Sequence, residues 1–303
     1  MSGNVQLVVV GSVALDDIET PFERREGVLG GSVSYACAAA SFFTKVGAVG
    51  IVGDDFPAGA IETYERLGVD LAGLQRVPGR TFKWSGVYED DMINRRTLAT
   101  ELNVFEHFSP DLPESYRDAP FLLLGNISPE LQLHVLSQVK SPRLVVADTM
   151  DLWINVARDP LMEVVAKADM LTLNDVEARM LTGEHNIRKC ADAILGMGPG
   201  YVVIKKGEHG AILVSGEGIF IIPAYPVDSV EDPTGAGDSF AGGFLGALAR
   251  GGEVDEKAVR LALLYGSVVA SMGVQKFSLE SFQNLRLAGI ENRLEELKGM
   301  MRV

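Results

Sequence analysis

Cysteine is almost absent from this chain: Cys37 and Cys190 are the only two among 303 residues. They sit in unrelated contexts, which excludes a disulfide framework and a thiolate metal site and fits a reducing compartment. Basic residues are also scarce. Lys and Arg number 27 against 41 Asp and Glu, a formal net charge of −14, which argues against a nucleic-acid partner. No apolar run reaches about 18 residues without a charge or a glycine-rich break, so no segment reads as membrane-spanning and no membrane partner is expected. No basic segment precedes a hydrophobic one at the N-terminus, so no signal peptide is expected and the implied location is the cytoplasm. The P-loop pattern Gly-x-x-x-x-Gly-Lys-Ser/Thr does not occur. His107 has no companion His, Cys or carboxylate at metal-ligand spacing.

What the chain does have is a core with a rhythm. Hydrophobic residues make up 47% and charged ones 22%, ordinary for a globular protein. We read 1–303 as a single domain, since α/β folds often reach this length as one unit. Short apolar, β-branched runs at 6–11 and 45–53, then at 121–124, 144–147, 170–173, 201–205 and 211–214, read as strands. Helical segments between several of them predict a mostly parallel sheet with helices on both faces, a three-layer α/β/α sandwich. Two stretches depart from that pattern. Residues 14–29 include a polar loop or edge strand with Pro21, and 81–106 alternate through Phe82, Trp84, Gly86 and Tyr88, then Arg95, Thr97 and Ala99. The second reads as antiparallel strands off the main sheet, with its aromatics packing a half-buried face. A helix is expected to stop at Gly68. Residues 259–272 are apolar almost all round, hence buried against the sheet, and 279–298 read as one amphipathic helix.

The chain is organised around Asp232-Pro233-Thr234-Gly235-Ala236-Gly237-Asp238 and the apolar helix that follows it. The glycines stand at the helix entry, where the first backbone N–H groups lack helical partners and the macrodipole adds positive character. Glycine lets a ligand approach this backbone, so the amides can surround an anion. Asp238 places a carboxylate in the same first turn. An anion cradle beside a carboxylate suits phosphoryl transfer to a hydroxyl, with the carboxylate taking the proton. The same turn also fits a capping role for Asp238. Asp16 follows the first strand, where open α/β sheets place ligands; it reads as a grip for a polyol hydroxyl or as a solvated turn carboxylate. Gly30 and Gly31 lead into an Ala-rich helix, and Tyr35 either stacks on a ligand or packs. Asn174 and Glu177 have the spacing of a helix-capping pair. Lys205 and Lys206 end a strand, and successive strand residues face opposite sides.

The run from Asp232 to Asp238 resembles the C-terminal signature of the ribokinase-like carbohydrate kinases of the phosphofructokinase B type. Gly30-Gly31 is similar to that family's N-terminal signature, 174–177 to its Asn-x-x-Glu motif, and Lys205-x-Gly207 to its phosphate-side motif. The resemblance covers nearly the entire chain. It implies a ribokinase-like fold with a small β lid, formed by inserts near 14–29 and 81–106, over the acceptor. In some members the lid is a dimer clasp, so a homodimer is implied as well. It implies ATP-dependent phosphorylation of a primary hydroxyl on a small sugar or polyol; nucleoside kinases share the fold and motifs and are the alternative, and a non-catalytic sensor is a third reading. By the same resemblance, Gly235, Ala236 and Gly237 form the anion hole and Asp238 is the base. Asp16 holds the acceptor, with Asp17 the neighbour open to confusion, and Gly30 and Gly31 lie against it. Tyr35 departs from the family's Asn at that place. Asn174 and Glu177 arrange Mg2+ and its waters, Asp175 being the other carboxylate. Lys205 and Gly207 lie near the nucleotide phosphates. Gly273 borders the adenine pocket, and its carbonyl, with Asp232, is implied as ligand to the K+ found in some members.

Overall fold

A computed structural model describes residues 4–302. Its strands are β1 Leu7–Val10, β2 Ala14–Glu19, β3 Arg24–Gly30, β4 Val46–Val52, β5 Asp70–Arg76, β6 Lys83–Tyr88, β7 Arg95–Glu101, β8 Phe121–Leu124, β9 Leu144–Asp148, β10 Met170–Asn174, β11 Tyr201–Lys205, β12 Ala211–Ser215 and β13 Gly218–Ile222. Its helices are α1 Ser32–Ser41, α2 Ala58–Leu67, α3 Pro129–Leu136, α4 Asp151–Val156, α5 Arg158–Lys167, α6 Asp175–Thr182, α7 Ile187–Leu195, α8 Ala236–Gly251, α9 Glu256–Gly273, α10 Glu280–Gln283 and α11 Leu287–Met300. Nine strands form one sheet in the order β13-β12-β11-β10-β9-β8-β1-β4-β5, and four form a second in the order β3-β2-β6-β7.

Burial on both faces explains the large sheet. In β1, Leu7 and Val9 enter one core with α1, α2, α8, α9 and α11, while Val8 and Val10 enter another with residues of α3 and α5–α7. Alternate side chains of one strand thus feed two layers, the arrangement that makes a parallel strand read as an unbroken apolar run. The switch to antiparallel pairing comes at one edge, where β12 pairs with β11 and β13 with β12. The sequence reading contains no β13: Phe220 and Ile222 face the core, but Ile219 and Ile221 on the exposed face are apolar too, so the sequence shows no alternation.

The second sheet takes up both inserts. β2 and β3 pair antiparallel, as do β6 and β7, but β2 and β6 run parallel. The expected insert ends differently at its C-terminal side: Asn103–His107 is a short 3-10 turn whose Val104 joins the main core. α9 packs along α8 and reaches the sheet at β13. One helical expectation needs correction: the tail forms two helices, α10 and α11, with 284–286 between them, rather than one.

Candidate active site

α8 begins at a turn held by its own upstream carboxylate. Asp232 is 1% exposed and accepts the Thr234 N–H at 2.9 Å and the Ser278 N–H at 3.1 Å. Gly235 caps the helix in the left-handed region, φ 72°. A Cβ there would sit 2.2 Å from the ring of Tyr35, so both conformation and space exclude a side chain. The Ala236 N–H donates to the Pro233 carbonyl at 3.2 Å. Among the described residues, the amides of Gly235, Gly237 and Asp238 have no backbone acceptor. These three amides have no backbone partner, while that of Ala236 is engaged in the turn.

Three strand ends bring charge to this turn. Lys205, closing β11, places Nζ 3.2 Å from each carboxylate oxygen of Asp148 at the end of β9. A Cβ on Gly237 would lie 3.2 Å from the same Nζ, so the ammonium stands beside the free amides. Burial works against the Lys205 charge, but Asp148, Glu177 and Asp238 outweigh it and hold the ammonium above its usual pKa. Asp148 is buried and accepts the Thr172 hydroxyl at 3.1 Å, while its backbone carbonyl accepts Gln132 Nε2 at 3.0 Å. Asp238 is pushed up to about 7, first by burial and then by Asp148, with Lys205 and Arg95 of β7 pulling it down. Lys206 is exposed, as strand alternation requires.

Asn174 and Glu177 make a reciprocal capping box: the Glu177 N–H donates to Asn174 Oδ1 at 2.8 Å, and the Asn174 N–H to Glu177 Oε2 at 2.7 Å. This fixes Glu177 near Lys205, and burial pushes its carboxyl up to about 7. Asp175 turns to Arg179 on its own helix. Among the described residues, no three His, Cys, Asp or Glu side chains converge as a metal cage.

The other end of the site belongs to β2 and α1. Asp16 is 3% exposed, its Oδ1 is buried without a partner, and its carboxyl is pushed up to about 8 by burial and by Asp232. A Cβ on Gly30 would fall 1.9 Å from Asp16 Oδ2; that glycine makes room for the carboxylate. Asp17 faces away, bound to Lys83 at 2.7 Å and to the Gly27 N–H at 2.9 Å. Gly31 sets the entry to α1 with φ 88°. Tyr35 is buried with its ring against Gly235, so it packs rather than offering a face for stacking.

One glycine, Gly207, stands apart from this cluster, and another, Gly273, adjoins its turn, where a Cβ would lie 3.4 Å from Ser239 Oγ. Gly207 is exposed in the 3-10 turn Gly207–His209. Gly273 ends α9, and its carbonyl accepts the Ser281 hydroxyl at 3.4 Å. Asp148 and Arg95 carried no assigned role in the sequence reading. Asp148 had one signal, a carboxylate at a strand end, and Arg95 had none, because nothing local ties β7 to α8. Two hollows, of about 520 Å³ by Phe22, Arg25 and Phe277 and about 280 Å³ between β3 and α2, include none of the charged groups above. Buried carboxylates and amides without backbone acceptors, rather than a hollow, mark the site.

Comparison with known proteins agrees with this chemistry. The sequence pattern of the pfkB family of carbohydrate kinases matches residues 6–281. The chain is 34% identical over 266 residues to the cytidine kinase of Thermococcus kodakarensis, covering 86% of this chain and 94% of that protein. Its fold is that of the Burkholderia thailandensis nucleoside kinase solved with inosine, with a TM-score of 0.81, 21% identity, and 97% and 98% of the two chains covered. An E. coli protein assigned as a ribokinase II and solved with ATP and Mg2+ shares the fold, with a TM-score of 0.78, 18% identity, and 96% and 99% covered.

Proposed function

Because the chain belongs to the pfkB family of carbohydrate kinases, we propose that it transfers the γ-phosphoryl group of ATP to a primary hydroxyl of a ribose-bearing acceptor, with nucleosides the leading class. The observation that carries this reading is the assembly at one helix start of three amides without backbone acceptors, the Lys205 ammonium and the Asp238 carboxylate. The nucleoside class is favoured by the 34% identity, over nearly the whole chain, with a cytidine kinase. A free sugar or polyol is the second reading. It is supported by 27% identity over 270 residues with a deoxyribokinase.

The residues present fit a magnesium nucleotide. MgATP supplies the phosphoryl group and the metal charge that neutralises its oxygens. Lys205 and the amides of Gly235, Gly237 and Asp238 stabilise negative charge where the group is transferred, without reorganising. Glu177, fixed by its cap, would hold water around the metal. Asp16 orients the acceptor, and Asp238 takes the hydroxyl proton late, since an alcohol is too weak an acid to ionise beforehand. The small sheet excludes water, which limits hydrolysis of ATP.

The test is coupled ADP release with MgATP against cytidine, uridine, adenosine, inosine, ribose, fructose and simple polyols. Turnover with a nucleoside, lost in Asp238→Asn, is the expected result. Turnover with free sugars alone would transfer the reading to the second class, and silence with every acceptor would contradict it.

A further inference from the structure

The buried Asp232 carboxylate before α8 has two N–H partners, Thr234 and Ser278, and the hydroxyl of each is taken up by the small sheet. The Thr234 hydroxyl shares a hydrogen bond of 3.1 Å with the hydroxyl of Tyr88, which ends β6 and lies 146 positions away in the chain. The Ser278 hydroxyl donates to the Leu29 carbonyl of β3. Ser278 stands at φ 53°, a left-handed conformation uncommon for a residue with a side chain. Such strain persists only where the surrounding contacts hold it. Tyr88 is held on its other side by packing: it is 5% exposed, and its ring clusters with Ile18 of β2 and with Phe277, the neighbour of Ser278. That cluster is separate from both main cores and forms the joint between the small sheet and the segment around Asp232.

We infer that Tyr88 is a positioning residue for phosphoryl transfer: its hydroxyl holds Thr234, and through it the turn that presents the Gly235, Gly237 and Asp238 amides. This rests on the kinase reading above and deepens it by connecting the small sheet to the anion site. Thr234 directly precedes Gly235, whose amide is the first of the three. A turn that enters a helix through a left-handed glycine has backbone freedom of its own, so its shape depends on what grips the residues around it. Asp232 grips the Thr234 N–H, and Tyr88 grips the Thr234 side chain. Amides that meet developing charge without reorganising need such support, because a misplacement of about 1 Å can cost about 10²-fold in rate. The strand that carries Asp16, β2, pairs with the strand that carries Tyr88, β6. One sheet thus holds the residue assigned to the acceptor and the residue that steadies the phosphoryl site.

Tyr88→Phe isolates the hydroxyl, since the ring remains to pack against Ile18 and Phe277. Thr234→Val removes the other half of the bond, and the double variant completes a cycle. Each protein would be measured for turnover with MgATP and for calorimetric affinity for MgADP with and without aluminium fluoride, a mimic of the phosphoryl group in transit. Tyr88→Phe is expected to lower kcat about tenfold, with the KM for ATP and for the acceptor within about twofold of wild type. Its affinity for MgADP alone should stay within about twofold, while the gain from aluminium fluoride falls about tenfold. In the Thr234→Val background the same substitution should lower kcat by less than about twofold, because the bond is already gone. An unchanged kcat and fluoride gain in Tyr88→Phe, or losses that multiply in the double variant, would overturn the inference. Thr234→Val carries the same expectations and decides the matter if Tyr88→Phe does not fold. In the wild type, a fluoride gain without turnover would fail the kinase reading alone, the fluoride gain of the variants still deciding Tyr88; no fluoride gain would overturn both.

Discussion

Lys205 Nζ stands at the same distance, 3.2 Å, from both carboxylate oxygens of Asp148. The pair joins the ends of two strands separated in the sheet by β10, and it holds the ammonium beside Gly237 before any nucleotide arrives. Asp148 therefore has two effects on Asp238. It aims the cation that lowers the Asp238 pKa, and by its own charge it raises that pKa.

Asp148→Asn removes the repulsion and frees Lys205. The acid limb of kcat/KM for the acceptor should move to lower pH, since the Asp238 pKa falls when a neighbouring anion is removed. The kcat/KM for ATP should drop about tenfold as Lys205 loses its aim. A pH–rate profile checks both; a limb that does not move would separate Asp148 from the base.

Lys205→Met should lower kcat by about 10²–10³-fold, the weight of one preorganised donor at a transferring group. Because the ammonium neutralises Asp148, Glu177 and Asp238, the variant should also leave three crowded carboxylates. Without the cation the Asp238 carboxyl stays protonated to a higher pH, so steady-state kinetics above and below neutrality would show the loss shrinking as pH rises.

The pH dependence of stability follows from the raised carboxyls. Asp16 titrates at about 8, Glu177 at about 7 and Asp238 at about 7 in the native protein, whereas unfolded carboxyls titrate near ~4. Between those values the native state binds more protons than the unfolded chain, so these groups lower stability as pH rises through that window. Ligand-free protein should melt at a lower temperature at pH 8 than at pH 5. Asp238→Asn should flatten that slope, and a slope of opposite sign in wild type alone would contradict the assignment.

Gly235→Ala combines a left-handed backbone with a clash against Tyr35. The expected destabilisation is at least about 1–3 kcal/mol, read as a lower melting temperature, with loss of turnover beyond what stability explains. Gly30→Ala should act differently, raising the acceptor KM by displacing Asp16, with the ATP KM unchanged.

Local features were legible in the sequence. The apolar runs became the parallel strands because burial on both faces leaves no polar alternation, and the turn before α8 was readable because its glycines, proline and carboxylates are neighbours in the chain. The resemblance favoured Asp16 over Asp17, and three dimensions separate them physically: one is enclosed over Gly30 and the other reaches Lys83. The parallel pairing of β2 with β6 depends on contacts between distant segments, which no periodicity reports. The Lys205–Asp148 pair, spanning 57 positions, was hidden for the same reason. Arg95 lies on an exposed strand whose register against β6 alone carries it toward Asp238.

The most direct test of Asp238 as the base is a paired measurement on Asp238→Asn: kcat with MgATP and the accepted nucleoside or sugar, and ATP affinity by calorimetry. The expected result is a fall in kcat of about 10²–10⁴-fold with ATP affinity nearly intact, since the general base acts on the acceptor hydroxyl rather than on nucleotide binding. Undiminished turnover in that variant would remove Asp238 from the chemistry.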